Sequence, residues 1–502
     1  MDDDLPKGAG VADPAVTTSQ RPGYHPATAE EARLDRRINL KMDLIAVVLV
    51  AAGFLFQGID KSNIGNAATT ETFVPDTGIR ETDVSDSVSL FSATYIPFMP
   101  ISLALARLLG PGRWIPIMIL GWGAVTTAQC ALRGRGMLFG LRLLLGVFEA
   151  GFVPTSYYYV GTLYPAYMAG LRMGFISISF TFAGAFSALI AYGILQLESA
   201  RWANWQLLFI VQGSVTLGIG AACLFLPNRL SKAWFLTAEE RTHAVRRMEL
   251  DTAIMASAGG EHANSEEHDR RITLKNIIEA FRDWRKMLIV LWTACATVPA
   301  YGFSIFLPLI VQGMGYEGVK ANLMSVPPFL VGAVALVSWV WLSDHFKERS
   351  LVAATAMFVS IVGYIPLIVS KDEKVRYGFL FVIMIGAGSI NPLSAAWLND
   401  NTPDKGTRAI IMGIYGWNNV AGVIAGQVYS SKYAPSYKAS VAATLGIVAF
   451  GAAGFVASRA LYMLENRRRR REIDNWTEED FEEERENMRR RGHEKKYFMF
   501  GY

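Results

Sequence analysis

Four ionisable residues stand inside otherwise apolar runs: Asp60 and Lys61 within VLVAAGFLFQGIDKSNIGNA, and Arg142 and Glu149 within MLFGLRLLLGVFEAGFVP. Runs of this length are membrane-spanning candidates, and a charge at membrane depth is costly unless it faces water or a partner, so these residues mark function first. Arg142 and Glu149 are seven residues apart. On a helix that is nearly two turns, which sets both side chains within roughly 20° of one direction and about 10 Å apart along the axis. The chemistry this offers is a cationic anchor, Arg142 and Lys61, for an anionic solute, with Asp60 and Glu149 as carboxylates able to carry a proton. Desolvation disfavours a carboxylate's charge and a nearby cation favours it, so an anion competing for the cation links its own binding to that of a proton. Two bland readings compete. Lys61 can snorkel to an interface while Asp60 caps a helix end, and an internal ion pair can lock the first and fourth spans together.

The elements that must position these residues follow from composition. The 502 residues are 52% hydrophobic and 18% charged, with mean hydropathy +0.25, and the apolar residues come in blocks. Six apolar segments of spanning length precede residue 228, at about 44–66, 88–108, 113–132, 136–158, 172–196 and 205–226. Six more follow, at about 286–312, 321–342, 350–370, 375–398, 408–431 and 437–464. The fold expected is an all-α membrane protein of twelve transmembrane helices in two six-helix bundles, 44–226 and 286–464. A tail (1–43), a central loop (227–285) and a second tail (465–502) complete the chain, and no residue-level repeat between the halves is evident. The polar first forty residues hold no apolar core of a signal peptide. An even number of spans puts both tails and the central loop on one side. Those segments carry Arg467 to Arg471, Arg246–Arg247 and Arg270–Arg271, which makes that side the cytosol. Thr237 with Glu240, and Thr477 with Asp480, have the spacing of capping boxes that start short cytosolic helices.

Other classes are poorly served. A net charge of +4 does not suggest nucleic acid, and three cysteines within apolar runs suggest neither disulfides nor a metal site. Neither a Walker loop, a His-based metal motif nor a nucleophile elbow occurs, so neither enzyme nor cofactor is expected. Spans of the second half are polar without a comparable acid: Tyr301 and Gln312 in the seventh, Asn391, Ser394 and Trp397 in the tenth, Trp417, Asn418 and Asn419 in the eleventh. Tyr301, Asn391, Trp397, Asn418 and Asn419 can orient a carboxylate-bearing solute by hydrogen bonding and stacking. Glue between helices is an equal reading for any one of them.

Four stretches carry a family resemblance: Gly58 to Ala67 (GIDKSNIGNA), Arg142 to Pro154 (RLLLGVFEAGFVP), Trp397 to Arg408 (WLNDNTPDKGTR), and Asn418 through YSSKYAP to Pro435. Over residues 35–470 or so, the chain resembles a major facilitator superfamily transporter, and within it the fungal allantoate permease-like branch of the anion:cation symporters. The resemblance implies alternating access around a central site, with Asp60, Lys61, Arg142 and Glu149 serving proton coupling and anion binding. It also implies that Asp344, Lys347 and Arg349 form a cytosolic gating motif, for which ordinary positive-inside charge is the plain reading. There are two departures. Lys61 stands where many relatives have Arg, and the Tyr164 to Arg172 loop lacks most of the usual charges. The function expected is proton-coupled uptake of a small organic anion such as a ureide or vitamin carboxylate, by a monomer in the plasma membrane. A proton-antiport exporter and a non-transporting nutrient sensor are the alternatives.

Overall fold

The computed structural model describes residues 24, 26–197, 199, 201–258, 281–316, 318–402, 405–434, 436–474, 476–486 and 495–502. Arg270–Arg271 and nearly all of the first 25 residues lie outside them. Every regular element among the described residues is a helix. The twelve spans are α1 (Ala29–Ala67), α2 (Glu81–Leu109), α3 (Pro111–Ala131), α4 (Gly134–Leu163), α5 (Ala166–Leu195), α6 (Asn204–Cys223), α7 (Trp284–Gln312), α8 (Gly318–Phe346), α9 (Ser350–Val369), α10 (Glu373–Asp400), α11 (405–428) and α12 (Lys438–Ile473). Ten of these are long and apolar enough to cross a bilayer; in α5 the apolar run among described residues is Phe182–Leu195, and α11 is broken into shorter pieces.

The breaks have local causes. In α11 a 3-10 turn, Gly416–Asn419, divides two α-helical pieces, and the Asn419 side chain donates to the Gly416 carbonyl at 2.7 Å, competing with the helix ladder. A continuous span over 408–431 was expected there. In α4 the helix stops at Glu149, turns through Ala150 at ψ 130° and Gly151 at φ 79°, and resumes at Phe152. Gly151 needs the left-handed region, and a side chain there would also meet Ser102. In α10 the interruption falls at Gly388–Ser389. At the other extreme, α12 runs nine residues past its expected end at 464. Pairs of Arg468 with Glu472 and Arg469 with Glu465, both one turn apart, sustain it. Both capping boxes form: the Thr237 amide donates to Glu240 at 2.9 Å, and the Thr477 amide to Asp480 at 2.7 Å.

The bundles meet through α1 on α7, α2 on α11 and α5 on α8. Direct hydrogen bonds between them lie toward the side away from the termini. Asn322 donates to Thr69 (3.0 Å), Ser89 to the Val423 carbonyl (3.1 Å), and Gln427 to Ser89 (3.1 Å). One buried core runs through the second bundle and the far-side half of the first, whereas a separate core, from Ile38 to Ala244, belongs to the first bundle alone. The two halves are therefore joined on the far side and parted on the side of the termini. Gly65 sets how closely they join, because a Cβ there would overlap the carbonyl oxygen of Ile305. Gly65→Ala should force α1 from α7 and loosen the far side. In a cysteine-free background, Ser62→Cys, on α1 at the cavity between the bundles, should then react faster with a membrane-impermeant thiol reagent applied from that side; unchanged reactivity would show that the closure does not depend on this contact.

Candidate functional site

Between the bundles lies a cavity of about 100 Å³. Because one water needs only some 10–15 Å³ by the same measure, this is room for a small solute with little to spare. Seven spans line it, with Gly58 and Lys61 from α1, Arg142 from α4, Tyr301 from α7, Asn391 from α10 and Gly422 from α11 among the contributors. The small residues let the backbones approach, and the polar ones converge from both halves. Asn391 is the second residue after the break in α10, and Glu149 directly precedes the break in α4. These are corresponding helices of the two halves, and interruptions at matching positions are where repeat-built carriers place their sites.

Arg142 is 2% exposed, and its Nε and Nη2 have no hydrogen-bond partner. Glu149 is fully buried, and neither carboxylate oxygen is bonded. No ion pair joins Arg142 to Glu149 among the described residues. The Gln57 side chain donates to the Glu149 backbone carbonyl at 3.4 Å, which ties α1 to the break in α4. Asp60 is buried as well, accepting from Asn63 at 3.2 Å and from the Thr216 hydroxyl of α6 at 3.4 Å. It is an interior residue and not a helix cap at an interface. Lys61 points into the cavity between two rings of α2, its Nζ 4.8 Å from the Tyr95 centroid and 5.5 Å from that of Phe91.

The second half supplies a hydrogen-bonded network. Asn418 donates to the Asn391 side chain (2.9 Å), the Tyr415 hydroxyl reaches the Asn391 carbonyl (2.7 Å) and sits 2.9 Å from Ser394 Oγ, and the Tyr301 hydroxyl donates to Asn419. Tyr301 and Asn391 line the cavity, while Asn418 and Asn419 stand behind them. Trp397 is not brought to this site. It lies buried toward the termini side, against Phe455 and Tyr462, with its indole N–H donating to the Gly501 carbonyl. Six residues beyond Asn391 on the same helix, the tryptophan is turned about 120° away from it and so faces away from the cavity. Asp344 and Arg349 form an ion pair at the turn from α8 to α9, and Arg349 also reaches Asp400 at 3.2 Å. Lys347 is exposed and closes the turn at φ 53°.

The model of the Major Facilitator Superfamily matches residues 50–427. The chain belongs to that superfamily. It is 34% identical over 448 residues to the major facilitator-type transporter hxnP of Emericella nidulans, covering 86% of each chain. Against the MFS-type transporter efuF of Hormonema carpetanum the identity is 33% over 450 residues, 88% of each. The high-affinity nicotinic acid transporter of Saccharomyces cerevisiae is 28% identical over 448 residues, 89% of this chain and 81% of the relative. In fold, the chain is similar to a bacterial homologue of the human lysosomal transporter Spinster (TM-score 0.61, 14% identity, 86% of this chain and 98% of the other) and to the Escherichia coli xylose transporter XylE (0.61, 12%, 82% and 96%). This is a multi-pass membrane transporter of the superfamily and not an enzyme.

One cluster of this facilitator was missed in the sequence. Asp43 sits in a π-helical turn, Asp43–Val47, within α1, and accepts from Arg172 through Nε (2.7 Å) and Nη2 (2.8 Å) and from the Tyr164 hydroxyl (2.6 Å). The signal was present: Tyr164 and Arg172 flank the loop whose charges depart from the family's usual pattern, but Asp43 was assigned to the tail boundary. The cluster pins the start of α1 to the α4–α5 turn. Asp43→Ala should cost about 1 kcal/mol of stability, since the pair is only half-buried, and Tyr164→Phe less. Thermal unfolding in detergent checks this; equal melting temperatures for Asp43→Ala and the parent would mean the cluster is idle.

Proposed function

We propose that this facilitator is a proton-coupled symporter that takes up a small organic anion, a carboxylate of roughly the size of a vitamin acid. The observation that carries the reading is Arg142, a guanidinium that reaches the small cavity between the bundles with two nitrogens unbonded, while a carboxylate with no bonded oxygen sits seven residues away. A carboxylate solute seated there satisfies the planar donor fork, which monodentate Lys61 alone would do less well. Once the solute holds Arg142, Glu149 faces less positive charge, and a proton on Glu149 restores the balance, so solute and proton bind as a pair. Asp60 is the second carboxylate available to the proton. Tyr301 and Asn391, held by Asn418 and Asn419, orient the rest of the solute, and the Asp344, Lys347 and Arg349 turn gates the termini side.

The nicotinic acid transporter among the relatives supports a monocarboxylate, and the GIDKSNIGNA and RLLLGVFEAGFVP stretches support the allantoate permease-like branch. The arginine-rich segments favour cytosolic termini and a plasma-membrane carrier that works as a monomer. Proteoliposomes with an inward proton gradient test the proposal with labelled nicotinate and a panel of nutrient carboxylates. The parent should accumulate at least one of them. Glu149→Gln should exchange solute but no longer concentrate it, and full accumulation by that variant would remove Glu149 from the coupling role. Arg142→Ala should lower the affinity for that anion roughly tenfold or more, as loss of a charge-assisted bond does; unchanged affinity would remove the anchor.

A further inference from the structure

Each bundle is closed on the termini side by the chain that follows its last helix. In the first half, Asn228, just beyond α6, packs on Gly110 and Gly112 at the α2–α3 turn, and Tyr159 of α4 donates to the Pro227 carbonyl at 2.9 Å. In the second half the same two places are held from the far end of the chain. Trp397 of α10 donates to the Gly501 carbonyl at 2.9 Å, and the Arg349 amide at the α8–α9 turn donates to the Tyr502 carbonyl at 2.7 Å. Tyr159 and Trp397 belong to corresponding helices, so the halves share a device although their residues differ.

The difference is in how the strap is attached. Pro227 and Asn228 follow α6 directly and have nowhere else to go. Residues 474–497 intervene between the end of α12 and the second strap, which therefore docks as a tethered peptide. Its seat is specific. Asn466 pairs with Phe500 through both backbone groups (2.9 and 2.8 Å), Asn401 does the same with Gly501 (2.8 and 3.1 Å), and the Phe500 ring stacks on Tyr462 at 4.6 Å with Arg469 above it at 4.7 Å. Phe500 is 3% exposed. A short aromatic segment that exchanges four backbone hydrogen bonds with two asparagines is recognised as a ligand would be, with backbone bonds for affinity and an aromatic pocket for selectivity.

We propose that residues 498–502 are a detachable latch, a peptide ligand carried on the chain, whose docking fixes the Asp344–Arg349 turn. The bundles part on this side, so the turn belongs to the surface that must change partners when the carrier closes there. Seating the strap holds the turn in the geometry that pairs Arg349 with Asp344 and Asp400; releasing it frees the Arg349 amide and the turn with it. A local opening of this kind is tuned by a few bonds, which suits a control point.

The test reads the turn and not transport, so it stands apart from the function proposed above. Detergent-solubilised chain ending at residue 494 is treated with trypsin, and cleavage after the exposed Lys347 is followed by mass spectrometry. Cleavage should be about fivefold or more faster than in the full chain, as loss of one net hydrogen bond implies. A synthetic peptide of residues 497–502 (YFMFGY), which trypsin does not cut, should restore protection to the shortened chain and should not bind the full chain, whose seat is taken. Phe500→Ala in the full chain should expose the turn in the same way, which covers the case that the shortened chain does not fold. Equal cleavage rates in the full chain and Phe500→Ala, or no protection by the peptide, would overturn the latch.

Discussion

Two opposite charges are held in the dry middle of this protein without being allowed to satisfy one another. Each costs about 3 kcal/mol or more at membrane depth, and the usual relief, an ion pair, is absent between Arg142 and Glu149. Both stand on the uninterrupted helical piece Gly134–Glu149, where seven residues put them about 10 Å apart along the axis, too far for a direct pair, and the helix breaks just beyond Glu149 at Ala150 and Gly151. Gln57 holds the break, and the matching break in α10 delivers Asn391 to the other wall. The site thus sets Arg142 and Glu149 near one another without a direct bond, with neutral donors and acceptors from the second half completing it.

The rest of the architecture protects that arrangement. On the far side, hydrogen bonds and the Gly65–Ile305 approach join the bundles into one core, so the cavity does not open there. On the termini side each bundle is finished separately, by Asp43 with Tyr164 and Arg172 in the first and by Arg349 with its acids and the terminal strap in the second. Parted bundles with individually tied ends are what a rocking carrier needs: each half keeps its own shape while the contact between halves moves from one side to the other.

Much of this was legible in the residues. Twelve apolar runs predict twelve spans, because a bilayer sets helix length more strictly than any soluble core does. The four intramembrane charges stood out for the same reason. What escaped was whatever depended on local backbone or on partners distant in the chain. Nothing in the apolar pattern reports that Asn419 folds back on Gly416, or that Glu149 ends a helix. Trp397 looked like a solute-stacking ring because its partner, the Gly501 carbonyl, lies about a hundred residues away in a tail read for its charge and one capping box. Asp43 was hidden at a boundary, and its meaning needed Tyr164 and Arg172 in view.

The central claim is that occupying Arg142 with an anion brings a proton onto the protein. Calorimetric titration of the purified carrier with the carboxylate selected by uptake, repeated at one near-neutral pH in buffers of different ionisation enthalpy, measures this directly. The account predicts heats that change with the buffer by an amount equal to about one proton taken up per anion bound. Heats that are the same in every buffer would mean that the anion binds without a proton, and would contradict it.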